Sequence, residues 1–379
     1  MRKSFKYSAT INKDCAANCF NIINLCRYLY NSALCQRIVV YNSTKKGLNF
    51  YNQCLELPAL KKEFPEFKAV PSQTLQDVLN RLNKSFMGFF NRVKMGTDKA
   101  GFPRYRCKDQ YHSFVLKQAG WKLEHSYLYV KNVGRFKLKL HRPIEGNIKT
   151  VTITQTPTGK WFVIFSCDNV PEKIYPEPTI FGVGIDVNLE NFLTDSENGV
   201  VDNPRHFRNG EQYLRLCQRR LSRRKKSSNN RRDARLLVAK AHEHVCNQRQ
   251  DFLHKIADTY VSTYGNIYVE NLKIKNMIKN RHLSKSIADV AWGKFFEFVF
   301  YKAENAGRTL LKVSPHNTTQ LCSRCGKIVP KTLKERVHDC KNCGLVLTRD
   351  HNSAINILKR GLGIEPLDAN VEFQTSSVV

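Results

Sequence analysis

Residues 3–10, KSFKYSAT, alternate polar and apolar positions, the period-two pattern of a strand with one buried face. From about Asp14 the spacing changes. Cys19, Ile22, Ile23, Cys26 and Leu29 recur at three- and four-residue steps, which predicts a helix. A second helix is predicted over residues 72–94, with Leu75, Val78, Leu79, Leu82, Phe86, Phe89, Phe90 and Val93 on its apolar face. Pro71 precedes it, Ser72 is its candidate cap, and Gly96 and Gly101 close it. From about Ser113 to Asp168 five short alternating segments follow: HSFVLKQ, SYLYVKN, RFKLKLHR, KTVTITQT and KWFVIFSCD. Turn residues such as Thr158-Gly159 divide them. One strand, a helical block and a run of strands predict a β-barrel with a helical insertion.

Pro171, Pro176 and Pro178 mark a linker, after which the pattern restarts. VGIDVNLENFLTDS reads as a β-hairpin enclosing one acid among apolar positions. Residues 211–264 read as one long helical region broken near residues 227–230, and NIYVEN as a short buried strand. A single amphipathic helix is predicted from Lys285 to Ala306, carrying Trp292, Phe295, Phe296, Val299 and Phe300. RTLLKVSP is a further strand, and residues 352–360 a last helix. The final ~15 residues lack periodicity and are expected to be loose. No internal repeat is visible.

Composition narrows the function. The chain has 379 residues, of which 41% are hydrophobic, enough for two or three domains with real cores. Lys and Arg number 62 against 32 Asp and Glu, a formal net charge of +30. Such self-repulsion weakens a compact state unless a polyanion offsets it, and nucleic acid is the expected partner. No run of 18 apolar residues exists to span a membrane, and no apolar stretch follows the basic N-terminus as in a secretory signal. No membrane partner is expected, and the location expected is the prokaryotic cytoplasm, with nucleoid association when DNA is bound. The sequence sets no oligomeric state.

Nine of the thirteen cysteines are scattered and read as reduced, small buried hydrophobes. The other four form two pairs, Cys322-x-x-Cys325 and Cys340-x-x-Cys343, each followed by glycine. A two-residue gap lets both sulfurs of a knuckle face one ion, and glycine lets the backbone turn beneath it. Two such knuckles predict a zinc ribbon with one structural Zn²⁺. His316 and His338 are not needed, since four thiolates close the site.

Asp186 and Glu270 stand in apolar strands where core residues would be expected. Burying a lone carboxylate costs several kcal/mol unless it is paired, and a divalent cation is an effective partner. Asp350 stands just before the last helix. Taken singly, these residues also read as a turn acid, a strand-end salt bridge and an N-cap. Taken together in so basic a chain, they suggest a phosphodiesterase that uses two Mg²⁺ or Mn²⁺ ions.

The order of these segments resembles the TnpB family of transposon-associated RNA-guided nucleases, relatives of the type V CRISPR effectors. GIDV followed by TDSENG (194–199) is similar to the family's first catalytic segment, and VENL (269–272) to its second. SPHNTTQLCSRCG (314–326) is similar to the ribbon entry, and CKNCGLVLTRDHNSAINIL (340–358) to its exit joined to the third catalytic segment. GFPRYR (101–106) with Ser113-Phe114 resembles a short basic motif ahead of the barrel strands.

The resemblance implies an α/β plus β-barrel fold. A wedge-type β-barrel (1–12 and 111–175) would hold a helical recognition insertion (13–110). A RuvC-like ribonuclease-H fold (176–313 and 348–362) would be interrupted by the zinc ribbon (314–347), ahead of a flexible tail (363–379). It implies Asp186, Glu270 and Asp350 as catalytic metal ligands. It also implies a guide RNA and a double-stranded DNA target with a short adjacent motif as partners. Two positions depart from the family pattern: Asn188 stands where Gly is usual, and Thr348 where Asp is frequent.

Arg219, Arg220, Arg223, Arg224, Lys225, Lys226, Arg231, Arg232 and Arg235 crowd one helical stretch, with Arg215 before them and Asp233 among them. Such a run can be a solvated face. Like charges at i, i+4 destabilise a helix, so a phosphate backbone is the better reading, extended by Lys273, Lys275, Lys279 and Arg281. The activity expected is RNA-guided DNA cleavage at one site. A transposase or resolvase of ribonuclease-H-like fold, or an RNA-guided DNA-binding regulator without cleavage, are the rivals.

Overall fold

In the computed structural model the first alternating segment is a strand, β1 (Lys3–Thr10), with Phe5 and Tyr7 facing the core. The structure describes residues 1–96, 100–172, 175–332 and 334–364. The expected tail therefore lies, from residue 365 on, outside the described residues. The chain divides into two units, Met1–Pro171 and Glu172–Val379.

In the first unit the helices α1 (Lys13–Thr44), α2 (Phe50–Leu55), α3 (Leu57–Glu63) and α4 (Ser72–Lys94) follow β1. Six strands come next: β2 (Ser113–Leu116), β3 (Trp121–Glu124), β4 (Tyr127–Val130), β5 (Gly134–Leu138), β6 (Asn147–Gln155) and β7 (Trp161–Asp168). One more strand forms than the alternation predicted, because Trp121–Glu124 pairs as a hairpin with β4. The seven strands run in the order β2-β6-β7-β1-β5-β4-β3. β2 and β3 are its edges, so the sheet is an open half-barrel rather than a closed barrel.

Helix α4 differs from expectation at both ends. Its N-cap is Pro71 with no side-chain cap bond, and Ser72 instead accepts a hydrogen bond from Lys61 Nζ at 2.9 Å. Its apolar stripe is buried only as far as Phe86. Phe90 and Val93 are exposed, and Phe89 and Phe86 meet Phe102 edge-on.

In the second unit β8 (Ile180–Val187), β9 (Asn191–Asp195) and β10 (Val200–Asp202) are antiparallel neighbours. Two helices follow, α5 (His206–Ser222) and α6 (Asn229–Thr263), then β11 (Tyr264–Glu270) and the short α7 (Ile274–Met277). The helix expected from Lys285 to Ala306 is two, α8 (Ser284–Val290) and α9 (Trp292–Asn305). Ala291 between them takes a left-handed conformation, φ 57°. β12 (Thr309–Val313) completes a five-stranded sheet, β10-β9-β8-β11-β12, with β8, β11 and β12 parallel. A two-stranded hairpin, β13 (Val337–Cys340) and β14 (Leu345–Thr348), leads into α10 (Arg349–Gly361).

Val183 and Ile185 on one face of β8 pack into a core with Leu253 and Ala257 of α6 and Phe295 and Val299 of α9. The opposite face receives α10. Among the described residues no helix is long and apolar enough to cross a membrane.

Candidate active site and cysteine cluster

Asp186 lies near the C-terminal end of β8, the middle strand of the five. Side chains two apart on a strand share a face, so Asp186 points to the side of Gly184. A Cβ at Gly184 would lie 2.1 Å from the carbonyl oxygen of Ala354 and 2.5 Å from the Leu358 nitrogen. Glycine here is what lets α10 rest on the strand. Asp350 is four residues, about one turn, before Ala354 and so comes beside Asp186.

β11 brings the third carboxylate. Val269 pairs with Ile185, so Glu270 and Asp186 occupy the next position on neighbouring parallel strands. Tyr268 shares Glu270's face and meets the far end of α10, where a Cβ at Gly361 would lie 2.0 Å from the Tyr268 ring. Two glycines, one on a strand and one on the helix, thus set the height of α10 over the sheet.

The resulting site is electrostatically unfavourable by itself. Asp186 is 6% exposed. Burial pushes its carboxyl well above the usual range, and the charges of Glu270 and Asp350 push it further, against Arg349. Among the described residues its carboxylate accepts no hydrogen bond. Burial also raises Glu270, opposed by a hydrogen bond from Thr318 and by Arg360. Asp350 is better supplied. Its Oδ1 is 3.1 Å from both Nε and Nη2 of Arg349, and its Oδ2 accepts from Asn188 Nδ2 at 3.2 Å. Thr348, not Asp350, caps α10, accepting from the His351 N–H at 3.3 Å. Both departures from the family pattern thus hold a place in the site. Asn188 also closes the β8–β9 turn, accepting from the N–H groups of Glu190 and Asn191.

This donor set suits a divalent cation. The charges of Glu270 and Asp350 reach Asp186, which is buried without a donor, and Arg349 and Arg360 offset them nearby.

The four cysteines are tighter. Their sulfurs all lie within 4.8 Å of one another, and among the described residues they are the group of three or more metal-ligating side chains that closes this far. The Cys322–Cys343 and Cys325–Cys340 sulfurs are 3.5 and 3.6 Å apart. A tetrahedron with 2.3 Å Zn–S bonds has edges of about 3.8 Å, so the set fits a structural zinc. Gly326 and Gly344 both have φ 71°, as the knuckles require, and their N–H groups donate to the Cys322 and Cys340 carbonyls. Burial pushes the Cys322 thiol up to about 12, while the N–H groups of Cys325 and Arg324 oppose it. His338 is buried and contacts Lys331.

Sequence reasoning missed the polar face of α10. Asn352 and Asn356 are buried, four residues apart. Asn352 accepts from the Ser323 N–H at 2.9 Å and donates to the Leu321 carbonyl at 2.8 Å. Asn356 donates to the carbonyls of Thr318 and Leu321, at 2.8 and 2.7 Å. The available signal was two asparagines at helical spacing within an apolar stripe.

The basic stretch sits on the α5–α6 hairpin. Arg219, Arg220, Arg223, Arg224, Lys225, Lys226, Arg232 and Arg235 are exposed. Arg231 has an internal task, since its Nη1 donates to the carbonyls of Leu221 and Arg224 and so ties the end of α5. Arg215 pairs with Glu211 at 2.5 Å. Glu211 therefore joins Asp233 as a counter-charge to the stretch.

Residues 165–281 match the family model described as "Probable transposase", and residues 292–357 the "Cas12f1-like, TNB domain". A candidate RNA-guided DNA endonuclease of Streptomyces pristinaespiralis is 29% identical, over 100% of this chain and 94% of that protein. The candidate RNA-guided DNA endonuclease InsQ of Escherichia coli (strain K12) is 28% identical, over 89% of this chain and 86% of that protein. The structure titled "Cryo-EM structure of the Cas12f1-sgRNA-target DNA complex" shares the fold over 91% of this chain and 82% of that chain, with a TM-score of 0.57 at 14% identity. Together these matches support a protein of the TnpB family.

Proposed function

We propose that this protein is an RNA-guided DNA endonuclease that hydrolyses phosphodiester bonds at a single site, with Asp186, Glu270 and Asp350 as its metal ligands. The observation that carries the reading is the Asp186 carboxylate, buried on the middle strand without a hydrogen-bond donor and beside two other acids. Removing water from such a group is costly unless a cation replaces the missing partners. Two Mg²⁺ or Mn²⁺ ions bound there supply an activated water and stabilise the leaving oxygen. Asp186, Glu270 and Asp350 would hold the ions, with Asp186 as the buried member of the three. Arg349 orients Asp350 and lowers the charge of the metal-free site.

The five-stranded sheet is read as a RuvC-like ribonuclease-H core, and the half-barrel with its inserted helices as the wedge and recognition part. The two full-length relatives are both named for RNA-guided endonuclease activity, which supports a guide RNA and a double-stranded DNA target as partners. Pairing between guide and target strand reads the sequence. Exposed arginines and lysines of the α5–α6 hairpin hold nucleic acid by its backbone.

The test is cleavage with the element-derived RNA and a matched target, beside a scrambled guide. Matched-only cutting that needs Mg²⁺ or Mn²⁺ is expected. Equal cutting with both guides would favour a transposase, the activity named in the matched family model, or a resolvase, and guided binding without cutting would favour a regulator.

A further inference from the structure

We infer that Thr318, at the entry to the first cysteine knuckle, is a positioning residue for Glu270, so that the knuckle and the acidic site work as one mechanical piece. The inference rests on the reading of Glu270 as a cation ligand.

Thr318 is 2% exposed, and its hydroxyl donates to Glu270 Oε1. The Pro315 carbonyl lies 3.3 Å away, but a hydroxyl has one proton, and the carboxylate is the stronger acceptor. Oε2 of Glu270 takes no hydrogen bond among the described residues. A donor on one oxygen fixes the plane of the carboxylate and leaves the other oxygen for a ligand, as partners behind metal-binding side chains do. Glutamate needs this more than aspartate, because it has an extra rotatable bond and stands at the end of its strand.

Thr318 is itself held from behind. Val313, the last residue of β12, pairs with Glu270, and the chain then crosses back over the strand end to Thr318. Three residues on one face of α10 grip that crossing at successive turns. Arg360 Nη1 donates to the Ser314 and His316 carbonyls at 2.6 and 2.9 Å. Asn356 holds the Thr318 and Leu321 carbonyls, and Asn352 holds Leu321 and Ser323, inside the knuckle. The helix that presents Asp350 therefore also fixes the hydroxyl that aims Glu270. Plain packing would not need that hydroxyl, since valine has the same shape.

The test uses full-length protein loaded with guide RNA and compares Thr318→Val, Thr318→Ser, Glu270→Gln and the parent. Mn²⁺ binding is read from the spectroscopic signal of free Mn²⁺ during titration, beside zinc content, guided target binding and cleavage. Thr318→Val is expected to keep its zinc and its target binding while weakening Mn²⁺ binding about 10–100-fold, with a parallel loss of cleavage. Thr318→Ser, which restores the donor, is expected within about threefold of the parent. Parent-like Mn²⁺ binding by Thr318→Val would overturn the inference. So would Thr318→Ser and Thr318→Val failing alike, with loss of zinc or target binding, because the role would then be packing. Unchanged Mn²⁺ binding by Glu270→Gln would instead remove Glu270 from the cation site, and the inference with it.

Discussion

The two clusters of the second unit are built in opposite ways. The four cysteines come from one short stretch of chain, in two knuckles whose glycines make the turns, and their sulfurs close within 4.8 Å. The three carboxylates come from residues 186, 270 and 350. They meet because β8 and β11 are parallel neighbours and because Gly184 lets α10 lie against β8. One site is coded by spacing, the other by topology. They also differ in cost. Four thiolates and one ion make a closed site that contributes directly to folding. The carboxylates repel one another around a buried acid and weaken the metal-free fold. On the proposed reading, the site for structure is local and self-sufficient, whereas the site for chemistry is held in an unfavourable state by the rest of the fold.

The change that should separate the clusters most is Asp186→Ala. Cleavage of both strands is expected to fall at least about 1,000-fold, some 4 kcal/mol of transition-state stabilisation. Guided binding and zinc content should stay near the parent's, since base pairing and remote basic residues carry the first and the cysteines the second. A cleavage assay beside a gel shift decides it, and loss of both would mean a folding role. The near-isosteric Asp186→Asn adds a stability test. The folded state raises the Asp186 pKa, so it binds a proton more readily than the unfolded chain does. The parent in chelator should therefore lose stability as pH rises from the ordinary carboxylate range near 4 towards the raised value. Asp186→Asn should be the more stable protein at neutral pH, by roughly 1–3 kcal/mol, and should lose that advantage below about pH 4. Divalent cation should stabilise the parent and not the variant.

Breaking the other cluster should act first on zinc and stability. Cys325→Ser leaves three thiolates, and the protein should lose its single zinc by elemental analysis and become less stable. Through the Asn352, Asn356 and Thr318 bonds, cleavage should also fall, by about 10–100-fold. If zinc were lost with cleavage intact, the two clusters would be independent.

This contrast also explains what could be read from the sequence. Cys322, Cys325, Cys340 and Cys343 could be grouped from spacing alone. Asp186 and Glu270 were visible as acids in apolar strands and Asp350 as a third candidate before the last helix, but nothing local said that they meet, and their role as catalytic metal ligands came from family resemblance. Thr318 gave no such signal, and Asn352 and Asn356 gave only their helical spacing within an apolar stripe, because a buried amide or hydroxyl looks like any surface residue until its backbone partners are known. The break at Ala291 was hidden for a different reason. The apolar period runs through it, and a left-handed alanine is set by packing rather than by its own preference. The open edges of the half-barrel were equally invisible, since alternation marks strands but not whether the first pairs with the last.

A smaller effect concerns neither cluster directly. Reversing Arg219, Arg220, Arg223 and Arg224 to Glu should weaken nucleic-acid binding by about 10–100-fold at moderate salt and flatten its salt dependence. The slope should fall by about 0.7–0.9 for each phosphate that the protein no longer neutralises. Zinc content and metal binding should not change. An unaltered salt slope in a filter-binding series would return this hairpin to an ordinary solvated face.

The smallest effect tests how finely the carboxylate site is tuned. Asn188 stands where the family usually has glycine, so Asn188→Gly restores the common residue. Asn188 is not among the residues with positive φ, so glycine is not needed for the turn's conformation. Its side chain does two things. Oδ1 accepts from the N–H groups of Glu190 and Asn191, and Nδ2 donates to Asp350. Glycine loses both and adds chain freedom in the unfolded state. Asn188→Gly should therefore lower stability by about 1 kcal/mol and cleavage a few-fold. Asn188→Asp separates the two roles, keeping the turn acceptor while replacing the donor to Asp350 with a like charge. It should retain more of the fold's stability in metal and cut more slowly than the glycine variant, unless the added carboxylate is recruited as a ligand, which tighter Mn²⁺ binding would reveal. Full cleavage and unchanged melting by Asn188→Gly would show that the 3.2 Å bond to Asp350 does no positioning, and that Arg349 alone orients that carboxylate.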